Sequence, residues 1–559
     1  MKRELEKIIK QAANEVFGED LAVELTRPEE KFGDYSTNIA LKLAGKLQKK
    51  PSELASQLMP VIKKRADIIA GVEIAGPGFL NLRLSEEALW ESANSGPEML
   101  LQGKTIVAEY SDPSSFKVLH AGHLYTSLVG DAVANTLEAV GGIVHRVNFG
   151  GDIGLHVAKT IWSILRTLGG EFPDKLADIP EAERPDWMSQ RYVEGNLAYE
   201  DDPSSKSAIT DLNKRLYGLH AQNDHESAFA KIYWTCRQWS YDYFEQFYDR
   251  IGSHFDKYYP ESMTMPVGVE TVMEQLDKGV YQRSDGAIIF PGETYGLHTR
   301  VFINSQGLPT YETKDVGLIM MKWHDYHYDM SIILTDATQA QYMAVVLKSV
   351  EQFAPELAKT TTHITHGRVK LAGGVKMSSR LGNFVRAVDV LDAAAEANKK
   401  LTGQDNQQTV LGAVKYAFLR TRLGADVIYE PDESVSLEGN SGPYLQYAHA
   451  RACSIMEKKS PQVAVEQQPI GLNLQPAERS LLRKISEYPE VVNQAAAELL
   501  PHYICTYLYE LCQNFNAFYE QCRVIGDDRE ALRIQLVNKY AAVLKDGLKL
   551  LGIAAPTHI

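Results

Sequence analysis

Cysteine is scarce in this chain: five residues in 559, at positions 236, 453, 505, 512 and 522. The number is odd and no pair has C-x-x-C spacing, so neither a disulfide framework nor a zinc site is indicated, no metal site is expected, and a reduced cytoplasm fits best. Long apolar runs are missing too. No stretch approaches the ~18 residues needed to span a membrane, and Met1-Lys2-Arg3-Glu4 leads into an amphipathic helix instead of a signal sequence. Positive charge is not in excess: 58 Lys and Arg stand against 72 Asp and Glu, for a net charge of −14. That argues against a general nucleic-acid coat but not against a protein that grips one RNA through local basic patches.

What remains is ordinary globular material, 44% apolar and 9% aromatic, long enough for about three or four domains. Its organising stretch is Val118-Leu119-His120-Ala121-Gly122-His123-Leu124. Before it, Thr105 to Tyr110 reads as a buried strand and Ser111-Asp112-Pro113-Ser114-Ser115 as a turn. After it, Leu124, Leu128, Ala132, Leu137 and Val140 recur at helical spacing until Gly141-Gly142, and Ile143 to Val147 restarts a strand. The first turn of such a helix leaves N–H groups unpaired and carries the positive end of the dipole, so it attracts phosphate. His120 and His123 add donors, and Gly122 lets a nucleotide approach the backbone. Alone, H-x-G-H is equally compatible with two polar residues starting an ordinary helix. A second stretch, His366-Gly367-Arg368-Val369-Lys370 followed by Lys376-Met377-Ser378-Ser379-Arg380, is a basic loop flanked by glycines from which Lys376 can reach a pyrophosphate leaving group.

Together and in this order, H-A-G-H and K-M-S-S-R resemble the two signature motifs of class I aminoacyl-tRNA synthetases. The segment Glu109-Tyr110-Ser111-Asp112-Pro113-Ser114-Ser115-Phe116-Lys117 through His123 is similar to the first-motif segment of arginyl-tRNA synthetases, E-x-S-S-P-N-x-x-K-P-x-H-x-G-H. Lys117 matches; Ser114 stands where that family has an asparagine that binds the amino acid, keeping a hydroxyl and losing the amide. Asn148 to Gly154 resembles the N-x-x-G-D-W-G turn, read as shaping the nucleotide pocket. Phe255 to Ser262 resembles F-D-x-x-x-x-E-S, Thr310 to Gly317 resembles Y-x-T-R-D, and Leu334 to Gln339 is a third recruiting stretch.

The resemblance implies catalysis by Lys117, His120, His123 and Lys376, and ATP binding by His120, Gly122, His123, Lys376, Met377 and Ser378. A guanidinium is planar, always charged and presents five N–H donors in a fork, so a site selecting it needs two carboxylates and an aromatic wall. Glu261 and Asp315 are the expected carboxylates and Tyr311 the wall; Gln339 and Glu109, with Ser114, hold the polar end of arginine. Read without the resemblance, Asp315 could cap a helix and Glu261 could be solvated. Lysine could not satisfy both forks, and no candidate editing domain is seen.

The expected fold is α/β, a Rossmann-like class I synthetase catalytic domain with a small N-terminal α+β domain and a C-terminal α-helical bundle. Residues 1–100 form the first domain: a helix from Leu5 to Gly18, a strand at Leu21 to Leu25, a helix through Leu41, Leu43 and Leu47, and a hairpin from Val72 to Leu84. Phe32 and Tyr35, beside Asn38, are read either as exposed rings that stack on an unpaired RNA base or as core aromatics. F-G-D-Y-x-x-N and Ala75-Gly76-Pro77-Gly78-Phe79-Leu80-Asn81 resemble the N-terminal domain of arginyl-tRNA synthetases, which implies contact with the tRNA elbow at its D-loop. The catalytic domain spans 101–385 with a helical insertion at about 173–260, whose aromatics at Tyr233-Trp234 and from Trp239 to Phe247 are read as packing. A connector covers 386–410. Residues 411–559 resemble the family's DALR-type anticodon-binding bundle, with Tyr447 and Arg451 one turn apart for a splayed base, a loop from Ser460 to Pro476, and three further long helices. Implied partners are ATP with Mg2+, L-arginine and tRNA(Arg), with no membrane partner, for a monomer whose adenylate forms only once tRNA is bound. Two other readings stay open: a catalytically silent tRNA-binding paralogue, and a class I-like amino-acid ligase.

Overall fold

The computed structural model describes residues 1–64, 67–371, 385–460 and 472–558. Lys376, Met377 and Ser378 of the second motif lie outside the described residues.

The catalytic region is built on a five-stranded parallel sheet in the order Thr361–His366, Met330–Asp336, Thr105–Glu109, Ile143–Gly150, Lys257–Pro260. Its middle strand is apolar on both faces, with Ile106, Val107 and Ala108 all buried, as expected of a parallel strand covered on two sides by helices. From that strand the chain first builds outward through Ile143–Gly150 and Lys257–Pro260. It then returns to add the other two strands on the opposite side. The order therefore reverses beside Thr105–Glu109, and at such a reversal the ligands of open parallel sheets bind beyond the carboxyl ends of the strands.

Two helices stand beside this reversal, Glu261–Asp277 and Tyr311–Tyr326. They are pressed together at Gly268 and Gly317, where a Cβ would run into the carbonyls of Thr313 and Thr264 respectively. Glycine at both positions is what brings Glu261 and Asp315 to one place. The insertion forms the helices Arg184–Asp201, Pro203–Ala221 and Ala228–Ile251, and Tyr233 and Trp239 are buried in a core shared with Phe116 and Ile153. The packing reading of those aromatics fits their burial.

In the N-terminal region the helix Lys2–Phe17 ends on Gly18 in the left-handed conformation, and Ile69–Ala75 pairs with Phe79–Leu84 as a hairpin. The strand read at Leu21 to Leu25 is only Leu25–Thr26. One site expectation is corrected here. Tyr35 is not exposed but fully buried: its hydroxyl accepts from Arg27 at 2.7 Å and donates to Glu490 of the C-terminal bundle at 2.5 Å, with the Arg27 guanidinium 4.1 Å over its ring. A residue so enclosed between two regions cannot stack on a base. Phe32 is 46% exposed, and Asn38, half-buried, has an Oδ1 without a hydrogen-bond partner.

After the helix Gly442–Glu457 the described residues of the bundle form four helices, not three: Pro476–Ser486, Tyr488–Glu498, His502–Gln521 and Glu530–Leu550. Pro489 explains the extra break, since a proline inside a continuing helix removes an N–H and clashes with the preceding turn. The tail then runs back over the bundle. The carbonyls of Leu550, Gly552, Ala554 and Pro556 accept from Asn135, Lys415, Gln446 and His449, and Asn135 lies on the helix that begins with the first motif.

Glu478 anchors the bundle. Its carboxylate is fully buried and accepts from Arg529 and Arg533 Nε at 2.8 and 2.9 Å and from the Gln475 amide at 2.9 Å. Burial pushes its pKa up, but the hydrogen bonds from Arg529, Gln475 and Arg533 outweigh that and hold it below the ordinary value. The unfolded chain titrates at the ordinary value, so this stabilisation is complete above it and is lost as pH falls through the lower folded value. Glu478→Gln is expected to cost about 2–3 kcal/mol near neutral pH, read as a lower thermal midpoint. The gap from the parent chain should close as pH falls below the ordinary glutamate range, through the lowered folded value. A gap that does not change with pH would reject the charge as its cause.

Candidate active site

The loop from Ser111 to Phe116 leaves the middle strand in a strained shape, with Ser111, Asp112 and Phe116 all at positive φ. Such conformations cost of order 1–3 kcal/mol each and persist where the surroundings enforce them. Here Ser111 Oγ meets Tyr248 Oη at 2.8 Å, Asp112 accepts from the Phe149 amide at 2.8 Å, and Ser240 Oγ accepts from the Phe116 amide at 2.9 Å. The loop ends at His120, which caps the helix Ala121–Ala139.

The two motif histidines cap that helix reciprocally. His120 Nδ1 accepts from the Gly122 amide and His123 Nδ1 from the His120 amide, each at 3.1 Å, and the rings stack with centroids 3.8 Å apart. Gly122 is required, because a Cβ there would meet the His120 ring at 2.8 Å. Burial, then the charge of Lys117, lowers His120 to about 4; burial and the neighbouring His120 push His123 well below its ordinary value. Both rings are therefore neutral near pH 7. Since each Nδ1 accepts, each ring carries its proton on Nε2. His366, the last residue of the strand leading to the second motif, contacts Thr126 of the same helix at 2.7 Å.

Lys117 lies at the mouth of this helix. Burial lowers its pKa to about 8, opposed by the charge of Glu261. Ser114 forms a bridge with Gly151, and a Cβ on Gly151 would lie 3.3 Å from Ser114 Oγ and 3.5 Å from Glu261 Oε1, so these two side chains converge on one surface. Glu261 opens its helix because Asp152 holds that end: Asp152, fully buried, accepts from the Ser262 amide at 2.9 Å, Ser262 Oγ at 2.6 Å and Arg237 Nε at 2.9 Å.

The three expected carboxylates differ in their partners. Glu109, at the end of the middle strand, is paired with the buried Lys322. Glu261 is paired at 2.5 Å with Lys314, which also donates to the Ile153 carbonyl at 3.0 Å. Among the described residues no cation lies within ion-pair distance of Asp315, whose carboxylate accepts from the Tyr342 hydroxyl. Burial, then the charges of Glu109, Glu261 and Glu312, push its pKa well above the ordinary value. Tyr311, one helical turn earlier and 51% exposed, lies over Lys314 with its ring centroid 5.0 Å from Nζ. Gln339 is exposed beyond the end of the strand Met330–Asp336.

Lys314, Lys322 and Tyr342 are not among the site residues expected from the sequence. Nor are His156, whose Nδ1 lies 3.4 Å from the Tyr311 hydroxyl, and Tyr192, whose ring centroid lies 5.7 Å from Lys117 Nζ. Lys314 was visible inside the Y-x-T-K-D stretch, and Lys322 stands two helical turns beyond Asp315 on the same face. No local signal marks Tyr192, which comes from the insertion. The RNA candidates lie elsewhere: Phe32 and Asn38 on the N-terminal region, and on the bundle Tyr447, 48% exposed, with Arg451 stacked 4.3 Å over the ring of Tyr519.

Comparison with known proteins agrees with this geometry. Residues 86–434 match the family described as tRNA synthetases class I (R), catalytic domain; residues 3–84 match the arginyl tRNA synthetase N terminal domain, and residues 445–559 the DALR anticodon binding domain. The chain is 31% identical to the arginine–tRNA ligase of Frankia casuarinae, over 96% of this chain and 94% of that one. It is 28% identical to that of Phocaeicola vulgatus over 98% of both. Its fold is shared with the arginyl-tRNA synthetase of Thermus thermophilus, at a TM-score of 0.81 and 24% identity over 100% of both chains. The Plasmodium falciparum enzyme aligns at a TM-score of 0.82 and 20% identity, over 100% of this chain and 99% of that one. Motifs in order, a parallel sheet whose strand order reverses beside them and a match along nearly the whole length agree, and the chain belongs to the arginyl-tRNA synthetases.

Proposed function

We propose that Asp315 receives the guanidinium of L-arginine in this chain, with Tyr311 as the wall above it. The observation that carries this is the difference among three buried carboxylates: Glu109 and Glu261 already have lysine partners, whereas Asp315 has none among the described residues. A buried carboxylate without a cation is costly unless a cationic ligand completes it. In this reading Glu109, Ser114 and Gln339 take the α-amino and carboxylate end, and Glu261, tied to Lys314, closes the side toward Lys117.

The triphosphate of ATP, with magnesium as its counter-ion, lies along the start of the helix Ala121–Ala139. The positive end of the helix dipole, the Nε2–H groups of His120 and His123, and the ammonium of Lys117 face the charge that builds up there. The arginine carboxylate attacks the α-phosphorus, the bond to the β-phosphate oxygen breaks, and pyrophosphate leaves. The terminal ribose hydroxyl of tRNA(Arg) then attacks the carbonyl carbon of arginyl-adenylate and AMP departs. No side chain becomes covalently attached. Lys376, Met377 and Ser378 belong to this reading through their motif alone. Phe32 and Asn38 at the elbow, and Tyr447 and Arg451 at the anticodon, are the proposed RNA contacts.

ATP–pyrophosphate exchange tests the reading, run with arginine or lysine and with or without cognate tRNA. Exchange with arginine and not lysine is expected, dependent on tRNA. No exchange under any condition, with tRNA still bound, would favour a silent tRNA-binding paralogue; exchange indifferent to tRNA would favour a free-standing ligase.

A further inference from the structure

Asp315 is reached by a side chain that the proposed reaction does not use. Its Oδ2 accepts a hydrogen bond from Tyr342 on the helix Ala340–Glu351, one turn beyond Gln339. The Tyr342 ring is backed by Arg300, whose guanidinium carbon lies 5.3 Å from the ring centroid and whose Nη1 donates to the buried Glu312 at 3.0 Å. Glu312, Arg300, Tyr342 and Asp315 thus form a run that begins and ends on the helix Tyr311–Tyr326.

The surroundings explain why such a run is needed. Asp315 is faced by Glu109 from the middle strand, by Glu261 from the neighbouring helix, by Glu312 and Lys322 on its own helix, and by Tyr342. Three of those groups are acidic and oppose its charge. A guanidinium fork needs a charged carboxylate held in a fixed plane, and Tyr342 is placed to favour the charged form and fix the rotamer. We infer that Tyr342 is a positioning residue for arginine recognition, acting through Asp315 with Arg300 and Glu312 as its support. The inference rests on Asp315 being the guanidinium acceptor.

Aminoacylation by the full chain carrying Tyr342→Phe tests it. The KM for arginine is expected to rise about 10- to 100-fold, with the KM for ATP and for tRNA within about twofold of the parent. The acid limb of kcat/KM for arginine should move to higher pH, because the carboxylate loses a donor that favours its charged form. An arginine KM and acid limb that stay in place would overturn the inference, as would a loss of kcat spread equally over all three substrates. Asp315→Asn is measured in parallel. If it leaves the arginine KM unchanged, the guanidinium reading fails and the inference falls with it; if it raises that KM while Tyr342→Phe does not, only the role of Tyr342 is lost.

Discussion

Asp315→Asn is expected to lower kcat/KM for arginine by about 10²- to 10³-fold, the kinetic equivalent of roughly 3–4 kcal/mol, at the lower end of what removing one partner of a buried charge pair costs. The KM for ATP should stay near that of the parent. The substitution is isosteric, and an asparagine oxygen can still accept from Tyr342, so the loss isolates the charge. Glu109 and Glu261 cannot compensate, because Lys322 and Lys314 already engage them. A pH series adds an independent reading. With its pKa pushed up by burial and by Glu109, Asp315 is charged above that raised value and protonated below it, so arginine affinity should weaken as pH falls through it. Asp315→Asn should remove this limb. Initial aminoacylation rates at saturating ATP and tRNA measure both effects, and a change under about fivefold with the limb intact would reject Asp315 as the acceptor.

Local contacts in this molecule were legible in its sequence. The helix after His120 starts and stops where its apolar spacing and Gly141-Gly142 place it, and the histidine cap is a contact between residues three apart. Glu109, Glu261 and Asp315 are candidates from sequence because each sits in a short ordered motif. Their partners are not, because ion pairing is decided by the fold: Lys322 meets Glu109 across 213 positions. Tyr35 fails for the same reason, since Glu490, 455 positions away, encloses it. Both readings of that ring were compatible with its neighbours in sequence. The extra helix in the bundle is a different kind of miss, because Pro489 was present as a local break and was passed over.

The pairing of carboxylates with lysines also bears on charge in the nucleotide region. With His120 and His123 neutral and Lys314 engaged by Glu261, Lys117 is the cation that the described first-motif residues offer to the phosphates. Lys117→Met is therefore expected to slow arginine-dependent ATP–pyrophosphate exchange by about 10²- to 10³-fold, the usual cost of removing one preorganised donor from a developing charge. Its stability should hold, since a half-buried ammonium whose pKa is depressed to about 8 by desolvation stabilises the folded state less when charged than when neutral. The sign of the pH dependence follows from the same depression. Lys117 is cationic below about 8 and neutral above it, so kcat/KM for ATP, which reports the free enzyme, should fall as pH rises through that value. Bound phosphates favour the charged ammonium and should carry the corresponding limb of kcat to higher pH. Lys117→Arg keeps its charge throughout, so it should lose the limb while retaining part of the rate. If the limb persists in Lys117→Met, another group titrates there and the phosphate cation must be sought elsewhere in the site.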